Sequence, residues 1–179
     1  MDKKIFLSFI LALLTCYSVA AQKDTASLPA AFKRLVGCWD GTLNYSGTII
    51  RKPYTTTATL IIKQIGTSCK FEFLHIYTKD PNEKVADTLT ISTDGKKLNN
   101  EKITSSQRTP EGNLEIITES PGFDHDNDKA AIIRQTYTIG KQHYTYKKEV
   151  QLEGQTDWLE RQEFTYVRKV CSNSSHNNL

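Results

Sequence analysis

Residues 130–169 read AAIIRQTYTIGKQHYTYKKEVQLEGQTDWLERQEFTYVRK. Three runs alternate between aromatic or aliphatic and polar side chains. They are separated by Gly140-Lys141 and by 153–157, the pattern of three antiparallel strands joined by hairpins. A two-residue turn at Gly140-Lys141 sets Tyr137 opposite Tyr144, Gln135 opposite Tyr146 and Ile133 opposite Lys148. A second turn at 153–157 sets Tyr144 opposite Tyr166, Tyr146 opposite Phe164, Lys148 opposite Gln162 and Leu152 opposite Trp158. Both registers gather Ile133, Tyr137, Tyr144, Tyr146, Val150, Leu152, Trp158, Phe164 and Tyr166 on one face. Arg134, Thr136, Thr145, Lys147, Glu149, Gln151, Arg161, Glu163 and Lys169 fall on the other. One oily face and one charged face is the signature of a sheet with one side in water.

The same reading extends upstream. Turn signals at Gly66-Thr67-Ser68, Asp80-Pro81-Asn82, Thr93-Asp94-Gly95 and Pro110-Glu111-Gly112 punctuate short strands over 38–46, 56–64, 69–78, 85–92, 96–98, 101–108 and 113–119. The strands of the quoted stretch span 130–139, 142–152 and 157–169. Asn99-Asn100 is either a tight turn or a kink. Inward sets in the early strands are Trp39, Leu43 and Tyr45, then Ala58, Leu60 and Ile62, then Phe71, Phe73, His75 and Tyr77. Regular short strands with no helical pattern between them predict an all-β chain: one antiparallel up-and-down barrel of about eight to ten strands. A helical turn or two over 28–36 precedes it, with Phe32, Leu35 and Val36 on one side.

Residues 1–21 predict a secretory signal peptide. A charged start at Asp2-Lys3-Lys4 leads into an apolar run from Ile5 to Leu14, then small residues Val19-Ala20-Ala21 before Gln22. The run is too short for an integral membrane span. The expected location is secreted or periplasmic, with cleavage near Ala21. A competing reading makes Cys16 a lipid-bearing N-terminus, although Thr15 departs from the small residue such a site favours. The remaining divisions are an N-terminal segment over 22–37, the barrel over 38–170 and a flexible tail over 171–179.

The chain carries 23 Lys and Arg against 20 Asp and Glu, a net charge of +3. That surplus is small and scattered, which argues against a nucleic-acid partner. No zinc spacing, phosphate loop, HExxH or GxSxG pattern occurs, so we expect no metal, no cofactor and no catalytic residue. Asp124-His125-Asp126-Asn127-Asp128 begins like a calcium loop, but Lys129 stands where a glycine is required and Gln135 where a bidentate glutamate should be. It reads as a solvated acidic loop. In an oxidising compartment one disulfide is expected. Strand parity points Cys38 and Cys171 outward at one end and Cys69 inward, so Cys38–Cys171 is the first choice and Cys69–Cys171 the alternative.

Gly37-Cys38-Trp39 opens the first strand, where a tryptophan can fill a barrel floor and a glycine lets backbone pass close to its ring. This Gly-x-Trp resembles the first motif of the lipocalins. The resemblance implies a calycin-type barrel in which a basic residue of the last strand, here Arg168, packs across the indole. A meeting of Trp39 and Arg168 requires an even number of strands, hence ten rather than nine.

Polar residues among the inward aromatics are the candidate ligand contacts: Lys148, Glu160, Gln135, Gln162 and His75, beside Tyr137, Tyr146 and Phe164. In the register above Lys148 and Glu160 are diagonal neighbours. They form either a mutually neutralising pair or an anchor for the acidic head of an amphipathic ligand. The expected function is binding of a small hydrophobic or amphipathic molecule. The alternative is a structural envelope protein with a closed barrel.

Overall fold

The computed structural model describes residues 27–46 and 52–171. The expected leader, with Cys16, and the tail beyond Cys171 lie outside the described residues. One short helix, α1 (Leu28–Lys33), precedes ten strands: β1 (Gly37–Tyr45), β2 (Tyr54–Gln64), β3 (Lys70–Tyr77), β4 (Lys84–Thr90), β5 (Lys97–Leu98), β6 (Glu101–Arg108), β7 (Leu114–Asp124), β8 (Lys129–Ile139), β9 (His143–Leu152) and β10 (Leu159–Lys169). Each strand pairs antiparallel with its sequence neighbours, except between β4 and β5. The first and last strands join along their whole length, from Cys38 opposite Lys169 to Tyr45 opposite Gln162. The protein is a lipocalin-like, ten-stranded up-and-down barrel that is nearly closed.

Closure is completed at one end only. Ile91 bridges Leu98, the Asn99 amide donates to the Thr90 carbonyl at 2.8 Å, and the Thr90 amide donates to Asn99 Oδ1 at 2.7 Å. Asn99 and Asn100 both have left-handed backbone, φ 50° and 67°. They make a tight turn that sends the chain back after the two residues of β5. β6 therefore covers β7 only up to Thr118. Above that level, among the described residues, neither β7 nor β4 has a partner on the facing side, and the wall has a lateral slot. Pro121 lies in this unpaired half of β7, the edge position a proline tolerates.

The N-terminal segment seals this same closed end, where Phe32 packs against Phe71. Trp39 has no exposed surface and donates its indole N–H to the Leu35 carbonyl at 2.8 Å. The Arg168 guanidinium carbon lies 4.1 Å from the centre of the indole. Its fork donates to the carbonyls of Val36 at 3.2 Å, Lys141 at 3.2 Å and Arg34. Cys38 and Cys171 form a disulfide with Cα atoms 5.2 Å apart, and Cys69 is free. Phe32 and Leu35 are buried beneath the main core.

Between β10 and β9 the pairs Tyr166–Tyr144, Phe164–Tyr146 and Gln162–Lys148 occur as the sequence predicts. Two details differ. The turn after β8 holds four residues, closed by the Gly140 amide on the His143 carbonyl, so Tyr137 pairs with Tyr146 and Gln135 with Lys148. The shift is by two, an even number, so every side chain keeps its face. Second, a β-bulge lies between Glu160 and Gln162, and it reverses alternation below that point. Leu159 rather than Trp158 faces the interior, opposite Val150. Trp158 instead lies 3.6 Å from the Arg134 guanidinium on the outer side.

The outer face carries a ladder of threonines. Thr57, Thr42, Thr165, Thr145 and Thr138 are successive partners across β2, β1, β10, β9 and β8. β-branched cross-strand pairs stabilise a pleated surface without demanding burial.

Candidate ligand cavity

The inward aromatics do not fill the barrel. A cavity of about 340 Å³ remains, walled by Phe73, His75 and Leu89 on one side and Gln135, Tyr137, Tyr144, Tyr146, Gln162, Phe164 and Tyr166 on the other. Asp87, Thr88 and Asn99 line it where the slot begins. The rings support one another: Tyr144 and Tyr166 are stacked with centroids 5.9 Å apart, and Tyr137 and Phe164 flank Tyr146 at 5.2 and 5.7 Å. Gly41 makes this possible, because a Cβ there would collide with the Tyr166 ring and the Thr165 carbonyl.

Two polar chains run through this wall. In the first, Tyr166 Oη and His75 Nδ1 are 2.9 Å apart, and His75 Nε2 lies 4.0 Å from Asp87. Burial pushes the His75 imidazole below its usual range, against the weaker opposing pull of Asp87. In the tautomer that carries its proton on Nε2, toward Asp87, the neutral ring accepts the Tyr166 hydroxyl at Nδ1. In the second, Tyr137 and Tyr146 donate to Gln135 Oε1 at 2.7 and 3.3 Å, and Gln135 Nε2 donates to Glu101 at 3.1 Å. Thr118 donates to the same Glu101 oxygen at 2.9 Å. Burial pushes the Tyr146 phenol up to about 12 and raises Tyr137, Tyr144 and Tyr166 as well. All four phenols are therefore protonated donors at neutral pH.

Of the candidate contacts, Gln135, Tyr137, Tyr146, Gln162, Phe164 and His75 share this cavity. Lys148 and Glu160 do not. Lys148 lines a separate recess of about 230 Å³ at the other end of the barrel, with Lys52, Tyr54, Arg161 and Gln162 among its neighbours. Glu160 is a correction. The bulge turns it outward, where it is exposed and accepts from Ser46 at 3.5 Å, so no Lys148–Glu160 pair forms.

The bulge also brings in a residue that alternation had assigned to the outer face. Arg161, with only 10% of its side chain exposed, holds Asp124, 5% exposed, through two hydrogen bonds of 3.1 and 2.7 Å. Burial pushes the Asp124 carboxyl up, but hydrogen bonds from Arg161 and Asn127 outweigh it and hold the group below the usual carboxylate range. The acidic loop is thus not simply solvated, because its first aspartate is an internal ion-pair partner. No sequence signal announces the bulge, since Glu160-Arg161-Gln162 contains no glycine. Glu101 was also missed, because it stands directly after the Asn99-Asn100 turn, where parity is ambiguous.

No protein-family model matches the chain, and no curated protein sequence does. Among solved structures, similarity extends to the S-type phycobiliprotein lyase CPES from Guillardia theta, with 12% identity over 81% of this chain and 94% of that one and a TM-score of 0.47. Rv2717c from M. tuberculosis is similar at 14% identity over 78% and 95%, TM-score 0.47. Zebrafish ileal bile acid-binding protein in complex with cholic acid is similar at 15% identity over 76% and 99%, TM-score 0.36. The lipocalin-like character of this chain rests on its own strand order, its register and the Trp39–Arg168 floor.

Proposed function

We propose that this protein binds a small hydrophobic or amphipathic molecule inside the barrel, outside the cytoplasm. One observation carries the reading: an aromatic-walled cavity of about 340 Å³ remains within a tightly packed barrel, ringed by amides and phenols already fixed by hydrogen bonds. That size lies at the small end of the range for ligand pockets and suits a compact molecule rather than a long acyl chain. The extracytoplasmic setting is supported by the leader-like residues 1–21 and by the Cys38–Cys171 disulfide.

The test is native mass spectrometry of unfolded, extracted and refolded protein offered a small-molecule extract of its source. Adducts are expected on the wild-type chain and absent from Leu89→Trp, which fills the cavity. A stable, folded wild-type protein that takes up nothing would leave the barrel a structural element instead. For location, the full chain expressed with residues 1–21 should appear outside the cytoplasm, shortened by that segment. Retention at full length in the cytoplasm would overturn that half of the reading.

A further inference from the structure

The charges around the cavity are one-sided, and the geometry points to a ligand with a cationic group: an organic ammonium whose apolar body lies among the rings. This rests on the cavity reading above and specifies its chemistry. The cavity wall contains no lysine or arginine. Both polar chains in it end on carboxylates, Glu101 through Gln135 and Asp87 beside His75. These two stand on opposite margins of the incomplete seam, Asp87 on β4 and Glu101 at the start of β6. Their fields converge inside, since both act on the phenols of Tyr137 and Tyr146.

The neighbouring cations do not cancel this. Lys84, Lys97 and Lys102 are exposed. By alternation with Asp87, Leu98 and Glu101 they project outward from β4, β5 and β6. Arg168 is committed to the floor. Lys148, the cross-strand partner of Gln135 and Gln162, is the nearest inward cation, and it lines the adjoining recess beside Asp124 and Asp126 rather than the cavity wall. His75, buried and held neutral, adds no positive charge. What remains is a set of π-faces with carboxylates at the rim. An ammonium gains there from the ring quadrupoles and from the half-buried Glu101 carboxylate, with a smaller, solvent-screened contribution from Asp87, whose side chain is 71% exposed; a carboxylate meets the same charges as repulsion. The hydroxyls add to this preference. Tyr137 and Tyr146 spend their protons on Gln135, which turns lone pairs of these two phenols toward a ligand.

The experiment uses three probes with one fluorescent body: 2-(2-naphthyl)ethylammonium, 2-(2-naphthyl)ethanol and 3-(2-naphthyl)propanoate, titrated into the disulfide-bonded protein at pH 7.5. The ammonium probe should bind about tenfold or more tightly than the carboxylate, with the alcohol between them. Glu101→Gln should weaken the ammonium about five- to tenfold, and Asp87→Asn, at an exposed carboxylate, about two- to threefold, both leaving the alcohol within about twofold. Lys148→Met should strengthen ammonium binding, because it removes an inward cation one rung above Tyr146. A carboxylate bound as well as the ammonium, or an ammonium lost on Lys148→Met, would overturn the charge assignment. If Leu89→Trp still excludes the alcohol in that case, the cavity reading survives. If no probe binds, both fall together.

Discussion

Trp39 and Arg168 are direct partners between the first and last strands, and the guanidinium lies over the indole at 4.1 Å. This one contact joins the first and last strands at the barrel floor and covers the α1 segment beneath it. Arg168 spends its donors on three main-chain carbonyls, and burial lowers its pKa from the usual arginine range without discharging it. Arg168→Met removes the cation–π contact and strands those carbonyls. The expected loss is about 2–4 kcal/mol in urea unfolding. Arg168→Lys should recover less than half of it, because a single ammonium cannot reproduce the fork. Full recovery by lysine would mean that charge alone suffices.

His75 makes stability depend on pH between neutrality and mild acid. Its folded-state affinity for protons is depressed by burial, so below about 6.5, the ordinary histidine value, the unfolded chain takes up a proton that the native chain resists. Stability is therefore complete above that pH and falls as pH drops through it, until the folded-state value is reached. His75→Gln, which keeps an acceptor for Tyr166, should flatten the slope in urea titrations between pH 7 and 5. An unchanged slope would assign it to another group. The depressed carboxyls of Asp124 and Asp40 act only at lower pH.

Asp124 and Arg161 should be strongly coupled. Asp124→Asn removes the nearer carboxylate from a nearly buried guanidinium, leaving Asp126 at 3.8 Å as its remaining counter-charge, and should cost about 1–3 kcal/mol. Asp124→Asn combined with Arg161→Met should cost less than the sum of the two single changes. A double-mutant cycle showing simple additivity would contradict the ion pair.

Gly41 tolerates no side chain while Tyr166 lies across it. Gly41→Ala should destabilise the barrel by about 2–4 kcal/mol and displace Tyr166 from His75. The displacement would appear as an altered His75 titration by NMR. A stable Gly41→Ala protein with an unmoved ring would refute the close packing.

The Cys38–Cys171 bond closes 133 residues of sequence. Replacing both cysteines with serine should lower stability by about 2–5 kcal/mol, chiefly by freeing the unfolded chain. Denaturation of the two forms at equal pH measures this.

The architecture was legible because alternation survives errors that come in twos. Lengthening the turn after Ile139 moved Tyr137 from Tyr144 to Tyr146 and changed no face. The site was legible where alternation runs unbroken, at His75, Gln135, Tyr137, Tyr146, Gln162 and Phe164. It failed at Glu160 and Arg161, where one extra residue inverts every assignment beyond it. That insertion is set by tertiary demand, namely the pull of Asp124 on Arg161, and not by a local propensity. β7 runs to Asp124 rather than ending near residue 119 for a related reason. Pro121 and Gly122 look like strand terminators, but one occupies a free margin and the other makes room for Ile133.

A hooped cylinder must break a continuous ladder to let anything pass through its side. Here β5 is two residues long, and the hoop is fastened by little more than the Ile91–Leu98 and Thr90–Asn99 clasp. Traffic to the lumen can therefore use the flank instead of either rim. The Asn99-Asn100 corner bounds that opening on the closed side of the wall.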